Sequence, residues 1–275
     1  MASMRKSYFL SPSWSLEPTE VILGSVIANL NRPHDALSAE SLPSAIDTNI
    51  HTGEERSCSG TAKTSKKWSI GLFSTFVHAI TLGGEVSYSS TSRAVVKYSC
   101  DSMETRRFTP SPAYITKAAD NSPVKTHLKT GGLGAKAFVI TGVKTAQGVI
   151  LTTTQETEQD TKVEIGADIP VAQLSLGPKV KYKPETYQTH TRTIVGPVVF
   201  AFEVEKLCVK RKGQATSKEF VDGAMLGQKD NAEYIIELVK PNLDEDELED
   251  FGMETHSGIE DETGEECWIT IPSTS

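Results

Sequence analysis

No run of about 18 apolar residues occurs in the 275-residue chain, so a membrane-spanning helix is not expected. No apolar stretch of 7–15 residues follows Met1, so no secretory signal is expected either. Cysteine is scarce: Cys58, Cys100, Cys208 and Cys267 are scattered, as free thiols in a reducing compartment would be. The six histidines are far apart and show no metal-ligand spacing. The chain lacks Gly-x-Ser-x-Gly, His-Glu-x-x-His and Cys-x-x-Cys. Ser57-Cys58-Ser59-Gly60 offers a nucleophile without an evident base. The glycine-rich stretch 130–136 has the wrong spacing for a phosphate loop and reads as a turn. Basic residues are not interleaved with aromatics, which argues against nucleic acid as a partner. These absences predict neither an enzyme nor a metal or other cofactor.

Basic residues are also nearly missing from one region. Residues 213–275 hold 3 Lys+Arg against 17 Asp+Glu, whereas residues 1–212 hold 25 against 19. The formal net charge of −8 therefore conceals a body at +6 and a tail at −14. Within that tail, Cys267-Trp-Ile-Thr-Ile-Pro272 is an apolar patch that a free tail would have little use for, so docking somewhere is expected.

What is present is alternation. Val163, Ile165, Ala167, Ile169 and Val171 alternate with Glu164, Gly166, Asp168 and Pro170. Leu174, Leu176, Val180 and Tyr182 alternate with Ser175, Gly177, Lys179 and Lys181. A period of two marks strands with one apolar face. A turn near Ala172-Gln173, or a four-residue loop of the same parity, brings both apolar sets to one side. Each arm has roughly the 9–11 residues of a membrane-crossing strand, although half of an ordinary β-sandwich has the same pattern. A second alternating pair covers 68–98: Trp68, Ile70, Leu72, Phe76, Ile80 and Leu82, then Val86, Tyr88, Ala94, Val96 and Tyr98, with Gly83-Gly84 between. His78 interrupts that face and reads as a tolerated polar residue.

The rest of the chain is read in order. Residues 1–17 suit an irregular segment or a short edge strand. Residues 18–30 predict a short helix entered by Pro18, and 54–67 a polar stretch. Residues 103–112 read as a polar connection and 113–119 as a helix closed by Asn121-Ser-Pro123. Apolar strands are expected at 137–143 and 198–209. Short helices are expected at 218–226 and 231–239, followed by an acidic run at 244–250 in which Phe251 stands alone.

Arg107-Phe-Thr-Pro-Ser-Pro-Ala-Tyr-Ile115 and Ala137-Phe-Val-Ile-Thr-Gly-Val-Lys-Thr-Ala-Gln-Gly148 resemble the fungal gasdermin-like cell-death proteins. Gly223-Ala-Met-Leu226 fits the same group, and 196–210 is similar to the closing strand of animal gasdermin pore-forming domains. The resemblance spans roughly residues 5–230. It implies an α+β fold with a twisted, mainly antiparallel sheet and short helices, residues 1–230 forming a pore-forming domain and 231–275 an acidic, autoinhibitory tail. It implies a cytoplasmic resting form that binds acidic lipid, oligomerises and inserts β-hairpins into the plasma membrane. Lipid-binding candidates are Arg5, Lys6, Lys63, Lys66, Lys67, Lys117, Lys125 and Lys129. Membrane-inserting candidates are Trp68, Ile70, Leu72, Phe76, Val163, Ile165, Ile169, Leu174 and Leu176, with Glu164, Lys179 and Lys181 facing the lumen. Activation would come from a protease, with Phe251 as a candidate cleavage point, or from pairing with an allelic partner. The alternative is a soluble β-rich interaction module whose alternating segments are simply half-buried strands.

Overall fold

The computed structural model of the chain describes residues 6–38, 50–63, 71–82, 92–131, 135–158, 185–211, 234–239 and 245–272. The architecture is α+β, a curled, mainly antiparallel sheet with a few short helices. Its backbone runs β11 (Met253–Ile259), β12 (Glu266–Pro272), β1 (Lys6–Leu10), β9 (Val198–Arg211), β6 (Lys136–Gln147), β5 (Ser92–Phe108), β7 (Ile150–Glu158) and β8 (Glu185–Thr193). Off this path, β10 (Tyr234–Val239) pairs with β9, β4 (Ile50–Lys63) with β5, and β2 (Val26–Ile27) with β3 (Ala36–Ser38) and β6. The one parallel pairing among these joins β1 to β12.

The central strands are apolar on both sides because both sides are covered. Residues 137–144 of β6 are all buried, which is why that segment reads as a continuous run rather than an alternation. On one face, Phe9, Ile27, Phe138, Phe202 and Leu207 pack against α2 (Pro112–Asp120) and α3 (Ser122–Thr130) through Tyr114, Ala118, Val124 and Leu128. On the other, Tyr8, Leu10, Val96, Leu151, Phe200 and Ile269 pack against α1 (Leu72–Leu82). A bulge in β9, where Thr145 pairs with Val199 and Lys144 with Ala201, places Phe200 and Ala201 on the same side.

Several elements differ from the expectations. Residues 18–30 form turns ending in β2, because Leu23, Val26, Ile27 and Leu30 are drawn into the core rather than along one helical face. The polar stretch at 54–67 supplies β4, whose partner β5 extends to Phe108 through residues read as a connection. Asn121-Ser-Pro123 ends α2 but also starts α3, with Pro123 in its first turn. Residues 234–239 are strand β10, not helix, since the exposed edge of β9 offers six successive pairs. The helix expected at 218–226 lies outside the described residues. β1 is internal because the C-terminal strand β12 covers its edge.

The clearest difference is α1. Leu72, Phe76 and Ile80 are spaced by two residues taken twice, but also by one helical turn. In this structure the helical period prevails, because Leu72, Phe73, Phe76 and Val77 then share one buried face. Phe73 and Phe76 pack edge-on against Phe200 and Trp14, at ring-centroid distances of 4.5 Å for Trp14–Phe76 and 4.9 Å for Phe73–Phe200. Burying four such side chains contributes on the order of 10 kcal/mol to holding α1 in place.

Candidate functional site

The hairpin β11–β12 is closed by the turn 260–265. The Glu260 amide donates to the Glu265 carbonyl at 2.9 Å, and the Gly264 amide donates to the Glu260 carbonyl at 2.9 Å. Gly264 has φ +68°, which a side chain would strain. Because β12 runs parallel to β1, this turn is delivered to the start of β1, on the face that carries α1.

Glu260 is fully buried there. Its carboxylate accepts from Lys6 Nζ at 2.7 Å, from Arg107 Nη2 at 3.2 Å and from Thr263 Oγ1 at 2.8 Å, and also from the Tyr8 hydroxyl. Lys144 Nζ lies 3.0 Å away, donates to Thr105 Oγ1 at 2.8 Å and sits 5.2 Å over the Tyr8 ring. Glu262 adds a second carboxylate, 3.5 Å from both Lys144 and Arg107. Burial pushes the Glu260 carboxyl upward, but hydrogen bonds from Lys6 and Tyr8 and the charge of Lys144 outweigh it and hold the group well below the usual carboxylate range. Tyr8 is pushed far up, mainly by burial and then by Glu203 and Glu260, so its hydroxyl remains a donor. A buried charge with this many partners is strongly anchored, and removing one side of it is costly.

The neighbouring residue holds α1. Asp261 Oδ2 accepts from the Phe73 amide at 2.9 Å, and Gly71 bridges to Ile259 of β11. The first turn of α1 contains no acidic residue of its own, so Asp261 supplies the negative group that a helix N-terminus favours. A side chain at Gly71 would meet Asp261 Oδ1 at 2.6 Å and push that carboxylate aside. At the other end of α1, Trp14 Nε1 donates to Thr81 Oγ1 at 3.2 Å. The acidic turn thus grips both a cationic cage and the start of the helix.

Beside this contact is a cavity of about 420 Å³, lined by Glu55, Cys58, Phe73, Tyr98, Met103 and Asp261. Cys58 and Cys100 are cross-strand partners. Burial raises both thiols, Cys100 to about 12, so neither is an activated nucleophile. Among the described residues no cluster could hold a metal ion, and no helix is long and apolar enough to cross a membrane.

The expected site residues fall in different places. Lys6 is engaged by Glu260, whereas Lys117 on α2 and Lys125 and Lys129 on α3 are exposed on one helical pair, Lys125 bridging to Asp120 at 2.9 Å. Lys63 ends β4. Leu72 and Phe76 are core residues of α1. Arg5, Lys66, Lys67, Trp68, Ile70, Val163, Ile165, Ile169, Leu174 and Leu176 lie outside the described residues, as do Glu164, Lys179 and Lys181. Phe251 follows α4 (Glu245–Asp250), its ring set edge-on against Phe138 at 5.7 Å and its carbonyl accepting from Asn31 Nδ2 at 2.6 Å. The residues missed in the sequence are Tyr8, Arg107, Lys144, Glu260 and Asp261. The apolar patch at 267–272 signalled them, since docking it as β12 delivers the acidic turn.

The family model described as the bacterial gasdermin family matches residues 9–214. No curated protein matches the chain.

Proposed function

From the premise that this chain belongs to the bacterial gasdermin family, whose members are pore-forming cell-death effectors, we propose that it perforates membranes by extending two hairpins from one four-stranded sheet. The observation that carries this is register. β4, β5, β7 and β8 are antiparallel neighbours, and the segments 64–91 and 159–184 leave the same end of that sheet. Lys63 pairs with Val95, Ser92 with Thr157 and Glu158 with Glu185. Continuing those registers in an inserted state sets Leu72 opposite Val86, Phe76 opposite Leu82, Val163 opposite Val180 and Ile169 opposite Leu174. All of these fall on the side occupied by Ala62, Val96 and Leu151, which α1 covers at rest. Glu164 falls opposite Lys179 on the other side, which would face the lumen. Phe73 and Val77 depart from this division.

Each arm, at roughly a dozen residues, exceeds the 9–11 needed to cross a bilayer at a tilt. Unpaired strand edges are costly in hydrocarbon. Among the described residues the outer edges of β4 and β8 pair with no strand, so β8 of one copy would pair with β4 of the next until a ring closes. Lys117, Lys125 and Lys129 would draw the domain to acidic lipid, each contributing about 1 kcal/mol near the surface.

The C-terminal segment would hold this machinery shut. β11 and β12 cover the edge of β1, Glu260 neutralises the cage, and Asp261 pins the helix that must convert to strand. Cleavage near Phe251, or an allelic partner that strips the segment, would release it. Dye release from acidic vesicles tests the reading, using protein cleaved at a site introduced within 240–244. Cleavage should raise leakage, and Ile165→Lys with Leu176→Lys should abolish it, whereas Gly166→Lys with Ser175→Lys should not. Absence of leakage from cleaved protein favours the interaction-module reading instead.

A further inference from the structure

Glu260 occupies a site whose walls belong to distant parts of the chain. Lys6 and Tyr8 come from β1, Arg107 from β5 and Lys144 from β6, and all four direct a donor or a positive charge at one carboxylate. Glu262, from the same turn, supplies a second negative charge to Lys144 and Arg107. When the turn leaves, both carboxylates leave with it. Three cations and a phenol then converge on a vacated position, held by strands that stay joined through β9 and β6. Lys144 is buried and Lys6 and Arg107 are partly so; Glu203 of β9 stays beside Tyr8, Arg107 and Lys144, but burial raises its carboxyl and one such group does not balance three cations.

The donor geometry selects among anions. An arginine fork beside two ammonium groups suits an oxyanion with several exposed oxygens. Glu260 and Glu262 together present to Lys144 and Arg107 the charge of a phosphate monoester dianion. A diester carries one charge and offers two free oxygens, so it fits less well. We propose that Lys6, Tyr8, Arg107 and Lys144 form a binding site for a phosphate monoester, which Glu260 and Glu262 imitate while the C-terminal hairpin is docked. Ligand and hairpin then compete, and a phosphate monoester favours the undocked form by mass action. The physiological timing rests on the tail-docking reading above, but the site itself does not.

The test uses the full chain and inorganic phosphate, titrated by calorimetry at constant ionic strength with chloride as control. Glu260→Ala should bind phosphate at least tenfold more tightly than the parent, and adding Lys144→Met should remove the gain. A folded Glu260→Ala that binds no more tightly than the parent, or whose gain survives Lys144→Met, overturns the proposal. If Glu260→Ala does not fold, Glu260→Gln serves: phosphate should raise its melting temperature more than the parent's, and equal shifts overturn the site. The source of the ester is separated by flotation of Glu260→Ala with vesicles of equal surface charge. Preference for phosphatidic acid over phosphatidylserine, lost with Lys144→Met, assigns a lipid headgroup; equal binding alongside a positive calorimetric result assigns a soluble ester. Calorimetry without vesicles is independent of leakage, so phosphate binding without dye release would sink the pore reading alone, and dye release without phosphate binding would sink the site alone.

Discussion

Replacing Glu260 with glutamine keeps the shape of the side chain and removes its charge. Lys6, Arg107 and Lys144 would then face a neutral amide in a position with no exposed surface. Breaking one side of such a buried pair costs about 3–5 kcal/mol. If that cost falls on the docking of β11–β12, the docking equilibrium shifts by about a hundredfold to several thousandfold. Hydrogen exchange followed by mass spectrometry separates this from a general loss of stability. Amides of β12, bonded to β1 on one side and β11 on the other, should exchange faster by that factor, and those at the start of α1 should follow because Asp261 leaves with the turn. Amides of β6 should keep the parent's rate. Unchanged exchange in β12 would refute the assignment of Glu260 as the principal anchor, and equal acceleration in β6 would show that the charge serves the whole fold instead.

Three further outcomes are expected. Phe76→Ala removes a fully buried ring from between Trp14 and Phe200 and should cost about 3–5 kcal/mol, read as a lower unfolding midpoint in urea. Glu260 has a folded-state pKa depressed below the unfolded value, so its stabilising contribution is present above the unfolded pKa and is lost as pH falls through the folded one. The stability difference between parent and Glu260→Gln should therefore be constant from pH 8 to 5 and shrink only below the ordinary carboxylate value of about 4, as followed by thermal melts across pH. Changing Lys117, Lys125 and Lys129 together to glutamine should weaken sedimentation with acidic vesicles at low salt by about 3 kcal/mol and have little effect in high salt, where screening removes the attraction.

The strands built from continuous apolar residues were legible, because Ala137 to Val143 and Val198 to Phe202 are covered on both faces and show it. The helix α2 was legible from the Asn121-Ser-Pro123 that closes it, whereas its start, with Ser111 accepting from the Tyr114 amide and Pro112 opening the first turn, lies in residues read as a connection. Pairing between polar strands was not. β4 and β8 owe their place to neighbours far along the chain, and Thr189, Thr191 and Thr193 carry no periodic signal. α1 was misread because Leu72, Phe76 and Ile80 satisfy both periods, and only the aromatic bed under Phe73 decides between them. The cage was invisible for a related reason. Lys6, Arg107, Lys144 and Glu260 are dispersed over the whole chain, and only the parallel docking of β12 on β1 brings them together. The charge imbalance between body and tail pointed to an attraction but not to its residues.

The claim beneath the rest is that 159–184 crosses the bilayer as two strands with apolar residues on one side. Single cysteines placed from Val163 to Val171 in a cysteine-free background, each carrying an environment-sensitive dye, test it most directly in cleaved protein bound to acidic vesicles. Dyes at 163, 165, 167 and 169 should shift to the blue, and those at 164, 166, 168 and 170 should report water. A helical period in those shifts, or no shift at any position while the vesicles leak, would contradict the account.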